Sequence, residues 1–237
     1  MKLLVQKPIT SAATVGRAVL LAGSVLRYSI TDGASLRLPF DELLLQAFRD
    51  AMQEYTEARV PLDYAMTNFN LGNSLQLVGL YKSDPAPLKE AIEAYKTALK
   101  HYTRADNPRQ WALVQAYMGA TLQSLATYEN PVETLEASVE ARRSALEVLT
   151  LDTTPTDWAN AQSGMGMCLL NLSNFGNKPE LLPEALKAFE ASMQVFTKEA
   201  QPIQWAFAEN NIGDVHWSLA TRGGGNGNFV KIRHDKT

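Results

Sequence analysis

The chain has 237 residues and a formal net charge of −3, enough length for a substantial core and no bulk attraction to nucleic acid or to an acidic membrane surface. Its apolar and charged fractions, 46% and 20%, are those of an ordinary soluble protein. One cysteine, Cys168, excludes an internal disulfide and a cysteine-based zinc site, and its neighbours Met165, Met167, Leu169 and Leu170 predict buried packing over a reactive thiol.

From the N-terminus, residues 1–31 lack any acidic side chain and carry Lys2, Lys7, Arg17 and Arg27. That bias is compatible with a targeting segment. No small-residue cleavage site follows, so an N-terminal helix is expected, near 11–28. The longest apolar run, 18–26, falls far short of the roughly 20 residues a membrane span needs. No membrane association and a cytoplasmic location are expected.

A strict internal period begins further on. Pro61, Pro108, Pro155 and Pro202 are 47 residues apart. Three residues after each stands an aromatic (Tyr64, Trp111, Trp158, Trp205), then an alanine (Ala65, Ala112, Ala159, Ala206), and seven further on a glycine (Gly72, Gly119, Gly166, Gly213). Each proline suits the first turn of a helix, because it has no N–H to satisfy. Apolar residues then recur at spacings of three, four and seven, as in Tyr64, Leu71, Leu75 and Val78, which places them on one helix face. A glycine inside a helix costs about 1 kcal/mol relative to alanine, so its recurrence predicts a close approach by the partner helix.

Turn residues interrupt the pattern at 82–85, 128–131 and 176–179. A second helix follows each time, marked by small and large columns: Ala91, Tyr95 and Ala98, then Ser138, Arg142 and Ala145, then Ala185, Phe189 and Ser192. Arg142 breaks the aromatic column, and its stem is expected to cover apolar surface while its head reaches water. Thr103, Thr150 and Thr197 close the second helices. Shifting back by 47 places Leu44, Leu45, Ala47, Phe48, Ala51, Met52 and Tyr55 in the same columns, so 39–58 is expected to be the second helix of an earlier, degenerate unit. The last unit, 202–221, is a first helix with no second helix after it, and the glycine-rich stretch 222–237 is expected to be flexible.

The aromatic, the Leu71-Gly72 pair and the Ala91, Tyr95, Ala98 columns, with their 47-shifted equivalents, resemble the tetratricopeptide repeat. The unit is 13 residues longer than that family's usual 34 and is similar to a long bacterial-type variant, which also favours the run Asn70-Leu71-Gly72-Asn73. The resemblance covers roughly 39–221. It implies an all-α fold, a right-handed superhelical solenoid of antiparallel helix pairs; the N-terminal segment 1–38 is expected to hold the degenerate first helix of the earlier unit. It further implies a concave face made mainly by first helices, binding protein or peptide without catalytic residues.

Some members clamp a C-terminal carboxylate with Lys and Arg on that face. Here neither residue occurs in 64–80, 111–128 or 158–175, and a carboxylate needs charge-assisted donors, so that clamp is not expected. The groove candidates are neutral or apolar: Asn70, Asn73, Gln76, Tyr117, Gln123, Asn160, Asn171, Asn210, Asn211 and Asp214, with Met66, Phe69, Ser163 and Phe207 beside them.

Catalytic chemistry has no support. His101, His216 and His234 lie in no metal-ligand spacing, and His216 falls in a column of core leucines (Leu75, Leu122, Leu169). No phosphate loop, nucleophile elbow or acid–base pair is visible. The expectation is a non-catalytic binding scaffold with no cofactor, no metal and no nucleic-acid partner. The alternative is a regulatory or sensor module, or a fragment of a larger assembly, binding a small molecule. Self-association through Trp205, Ile212 and Leu219 on the uncapped last helix is the expected route to an oligomer.

Overall fold

In the computed structural model, residues 38–222 are described. They form eight α-helices and one short 3-10 turn, with no strand among the described residues. The helices are α1 (Leu38–Glu54), α2 (Pro61–Lys82), α3 (Pro85–Leu99), α4 (Pro108–Leu125), α5 (Pro131–Leu146), α6 (Pro155–Phe175), α7 (Leu182–Ser192) and α8 (Pro202–Arg222). The expected all-α class holds. The expectations for 1–37 and 223–237 lie outside the described residues.

All four prolines of the 47-residue period open first helices: α2, α4, α6 and α8. Prolines also open α3 and α5. The third second helix differs. Pro179 and Pro183 stand four apart, and the chain enters through a 3-10 turn, Pro179–Leu181, before α7 begins. Proline at 183 has no N–H to return to the carbonyl of 179, so a regular first turn is not available there.

The contacts divide the chain into two compact units, 1–125 and 126–237. In the first, α1 packs on α2, α2 on α3 and α3 on α4. Its core gathers Phe48, Leu71, Leu75, Tyr95, Ala98 and Val114. In the second, α5 packs on α6, α6 on α7 and α7 on α8, around Leu135, Cys168, Leu169, Leu182, Phe189 and Val215. Cys168 is fully buried, with Sγ 3.0 Å from Ser138 Oγ.

Two of the four glycines in the column do what their recurrence predicted, and a third, Gly213, does not, since a Cβ there would meet nothing within 4 Å. A Cβ built at Gly72 would lie 2.5 Å from Cε1 of Tyr95, and one at Gly166 would lie 2.9 Å from the ring of Phe189. The notch therefore admits an aromatic side chain from the second helix of the same repeat.

Two further periodic devices set the turns. Ser83, Asn130 and Asn177 are the non-glycine residues with positive φ among those described, at 52°, 44° and 50°, and they are 47 residues apart. They turn the chain between first and second helix in the left-handed region, which asparagine tolerates better than serine. At the other end of each pair, the threonine column caps the turn into the next repeat. Thr103 Oγ1 accepts the Asp106 N–H, Thr150 Oγ1 that of Thr153, and Thr197 Oγ1 that of Ala200, at 3.1, 3.3 and 3.1 Å.

The boundary expected for the first second helix is corrected: α1 stops at Glu54, and residues from Tyr55 on form the turn. The same shift holds for Tyr102, Leu149 and Phe196, which are buried beyond the ends of their helices. The apolar column ends on a residue whose N–H still bonds the carbonyl four back, at 2.8 Å for Tyr55, 2.9 Å for Tyr102 and Leu149 and 3.0 Å for Phe196.

Arg142 also departs from expectation. It is only 5% exposed, and its guanidinium lies where a side chain at residue 164 would stand, a space open because that residue is Gly164. Its head stays inside the fold.

Candidate partner-binding face

The first unit carries the richest set of candidate residues. On α2, Met66 is 40% exposed, and on α4, Tyr117 is 44% exposed. Phe69 is half-buried between them. Its ring meets Tyr117 edge-on, centroids 5.3 Å apart, and leans on Tyr95 at 6.0 Å. Such edge-to-face pairs hold an exposed aromatic in a fixed pose. Asn70, Asn73, Gln76 and Gln123 are half-buried around them.

Asn73 has a structural duty. Its Oδ1 accepts the hydroxyl of the buried Tyr95 at 2.8 Å. Burial pushes the Tyr95 phenol above its ordinary pKa of 10.0, a hydrogen bond with Thr121 draws it down, and Tyr117 adds to the rise. The Asn73 carbonyl is therefore committed to Tyr95, which leaves only its amide N–H groups as further donors.

In the second unit, Asn160, Asn210 and Asp214 are exposed and Asn171 is half-buried. Asn210 Nδ2 approaches Asp214 Oδ2 at 3.5 Å along one face of α8. Phe207 is 43% exposed. Two expected groove residues are not there. Asn211 is 7% exposed, and its Nδ2 donates to the Phe207 carbonyl at 2.6 Å, so the amide is committed to its own helix. Ser163 is buried as well.

One residue was missed. Trp217 is 72% exposed, more than any other aromatic among the described residues. It occupies the column of Gln76, Gln123 and the buried Leu170, so the period alone did not single it out. The expected oligomer face is also corrected. Ile212 and Leu219 pack against the second core, and Trp205 is half-buried beneath the Lys198 ammonium, 5.6 Å from its ring. The face of α8 left open is turned by one residue, to Ala206, Gly213 and Ala220.

Three arginines are engaged within the fold. Arg222 Nη1 donates to the Ser173 carbonyl at 2.7 Å. Arg49 pairs with Glu90 at 2.9 Å and Arg143 with Glu184 at 2.7 Å, each linking one second helix to the next. His216 is half-buried in the leucine column. Among the described residues no three His, Cys, Asp or Glu side chains come together as a metal site, and no helix is long and apolar enough to cross a membrane.

No protein-family model matches the sequence, and no curated protein matches it.

Proposed function

We propose that the chain is a non-catalytic scaffold that binds a protein or peptide segment on the inner face of its first helices, in a tetratricopeptide-like right-handed solenoid. The observation that carries this reading is the contrast between columns. The alanines and glycines of the first three copies of the period (Ala65, Gly72, Ala112, Gly119, Ala159 and Gly166) are buried, whereas Met66 and Tyr117 remain exposed on neighbouring first helices, with Phe69 braced against Tyr117. A rigid aromatic edged by Asn and Gln gives contact area and hydrogen bonds without charge. The ligand that suits it is a neutral segment with an apolar or aromatic anchor, and not an acidic C-terminus.

Peptides selected from a displayed random library against the full chain test the reading. Tyr117→Ala with Gln76→Ala is expected to weaken a selected peptide by roughly tenfold or more, the scale of losing one anchor residue. Selected peptides that bind the double variant as tightly as the parent chain would sink the assignment. Asn211→Ala is the internal control and is expected to leave binding unchanged, because its amide faces its own backbone.

A further inference from the structure

The two first helices of the first unit are uncharged over nearly their whole length. From 64 to 80 in α2, and from 111 to 128 through α4 and just past its end, no Asp, Glu, Lys or Arg occurs. The second helix that separates them in the chain, α3, carries Lys89, Glu90, Glu93 and Lys96. A charged ligand laid on α2 and α4 would lose water and gain no counter-charge, so charge matching selects an uncharged one.

Hydrogen-bonding capacity here is biased towards donors. Ser74 Oγ donates to the Asn70 carbonyl, Thr121 Oγ1 to that of Tyr117 and Ser124 Oγ to that of Ala120, each at 3.1 Å. Together with the helical N–H, these hydroxyls fill both lone pairs of each oxygen. Asn73 Oδ1 is taken by the Tyr95 hydroxyl, so Asn73 has only N–H groups left to give. Beside these groups Tyr117 is 44% exposed and held edge-on by Phe69, with centroids 5.3 Å apart.

Of the three regular ligand conformations, one fits. A helix spends its carbonyls on its own N–H groups and offers none to Asn73. A strand offers carbonyls but brings an N–H with every residue, which the filled carbonyls of Asn70, Tyr117 and Ala120 do not receive. Proline keeps its carbonyl and has no N–H. A proline-rich segment winds as polyproline II and returns the same side every third residue, about 9 Å along. Packed helices lie about 8–10 Å apart, and α2 and α4 touch directly. One turn of such a ligand therefore carries it from α2 to α4, whereas a strand, whose sides repeat about every 7 Å, falls out of step.

We propose that the face of α2 and α4 binds an uncharged, proline-rich segment in the polyproline II conformation, with a proline ring against Tyr117 and a main-chain carbonyl on the Asn73 amide. The proposal rests on the scaffold reading above and names its ligand class.

The test is calorimetric titration of the full chain with two synthetic peptides blocked at both ends and about four turns long. One repeats Pro-Pro-Gln, and the other has every proline replaced by alanine. The proline peptide is expected to bind, and the alanine peptide to bind at least tenfold more weakly or not at all, roughly the scale of losing an anchor. Tyr117→Ala is expected to weaken the proline peptide about tenfold. Asn73→Asp keeps an acceptor for the Tyr95 hydroxyl but removes the donors, and is expected to weaken it severalfold while circular dichroism reports an unchanged fold. No binding of the proline peptide, equal binding of the two peptides, or binding indifferent to both substitutions overturns the proposal. Library-selected peptides that lack proline yet lose affinity with Tyr117→Ala would overturn it and leave the scaffold reading standing. Selected peptides indifferent to that substitution and to Gln76→Ala remove the scaffold reading as well.

Discussion

Alanine substitution along the glycine column separates packing from helix propensity. At Gly72 the new Cβ would sit 2.5, 2.8 and 2.9 Å from Cε1, Cδ1 and Cζ of Tyr95, where carbon atoms at rest lie about 3.5–4.0 Å apart. The ring must retreat by about 1 Å to restore contact. Tyr95 has no exposed surface, and its hydroxyl is tied to Asn73 Oδ1, so the retreat disturbs the core on both sides. Overpacking of this kind costs ~1–3 kcal/mol. Replacing a helical glycine by alanine returns about 1 kcal/mol. The balance for Gly72→Ala is a loss of roughly 1 kcal/mol, up to ~2. Gly166→Ala, with nearest ring atoms at 2.9, 2.9 and 3.0 Å, is expected to lose less. Gly213→Ala meets nothing and is expected to gain ~0.5–1 kcal/mol from propensity alone. At this chain length each kcal/mol moves the melting midpoint by about 2–4 °C. Thermal melts followed by far-UV circular dichroism should therefore move in opposite directions for Gly72→Ala and Gly213→Ala. A Gly72→Ala protein that melts higher than the parent would refute the notch as the reason for the column.

Ser83→Asn is expected to stabilise by a few tenths of a kcal/mol, about 0.5, because asparagine accepts the left-handed φ of 52° more readily; Ser83→Val should instead lose ~1 kcal/mol or more, and urea midpoints of the pair distinguish the signs. Thr103→Val removes the hydroxyl that bonds both the N–H and, at 2.6 Å, the carboxylate of Asp106, and should cost about 1 kcal/mol in a urea melt. The Tyr95 phenol is raised above its ordinary pKa, chiefly by burial, so the unfolded chain gives up this proton first. Its contribution is intact below about pH 10 and is lost as pH rises beyond that value towards the folded pKa. Urea midpoints should fall more steeply across that alkaline range for the parent than for Tyr95→Phe. Equal slopes would remove Tyr95 as the titrating group, and a residual slope in the variant would fit Tyr102, whose pKa is raised by burial and by Asp63.

The sequence made the helix pairs legible because the period repeats four times without a gap. Proline marked the starts of the first helices, α2, α4, α6 and α8, since its missing N–H is tolerated in a first turn. The aromatic, alanine and glycine columns predicted which faces are buried. Legibility faded where one position serves two roles. Arg142 reads as a surface residue by type, yet Gly164 on the facing helix makes room for its guanidinium. Asn211 reads as a groove amide by position, yet it is turned back onto the Phe207 carbonyl. Neither outcome follows from a single column, because each depends on the size of a residue on another helix. The left-handed turn was equally hidden. Pro85, Pro131 and Pro179 are unevenly spaced, and only Ser83, Asn130 and Asn177 keep the strict 47.

That last contrast explains why fold and function part company in this chain. A repeat must preserve the residues that meet its neighbours, because every interface is built from the same columns. Gly72 and Gly166 are held by aromatic rings, and Thr103, Thr150 and Thr197 by the next turn. Exposed positions between those columns carry no such shared contact and are free to differ. Met66 aligns with Asn160 and Phe207, and Gln76 with Trp217, at intervals of two or three periods. Exposed residues that vary while the columns beneath them stay fixed are the ones a partner can read.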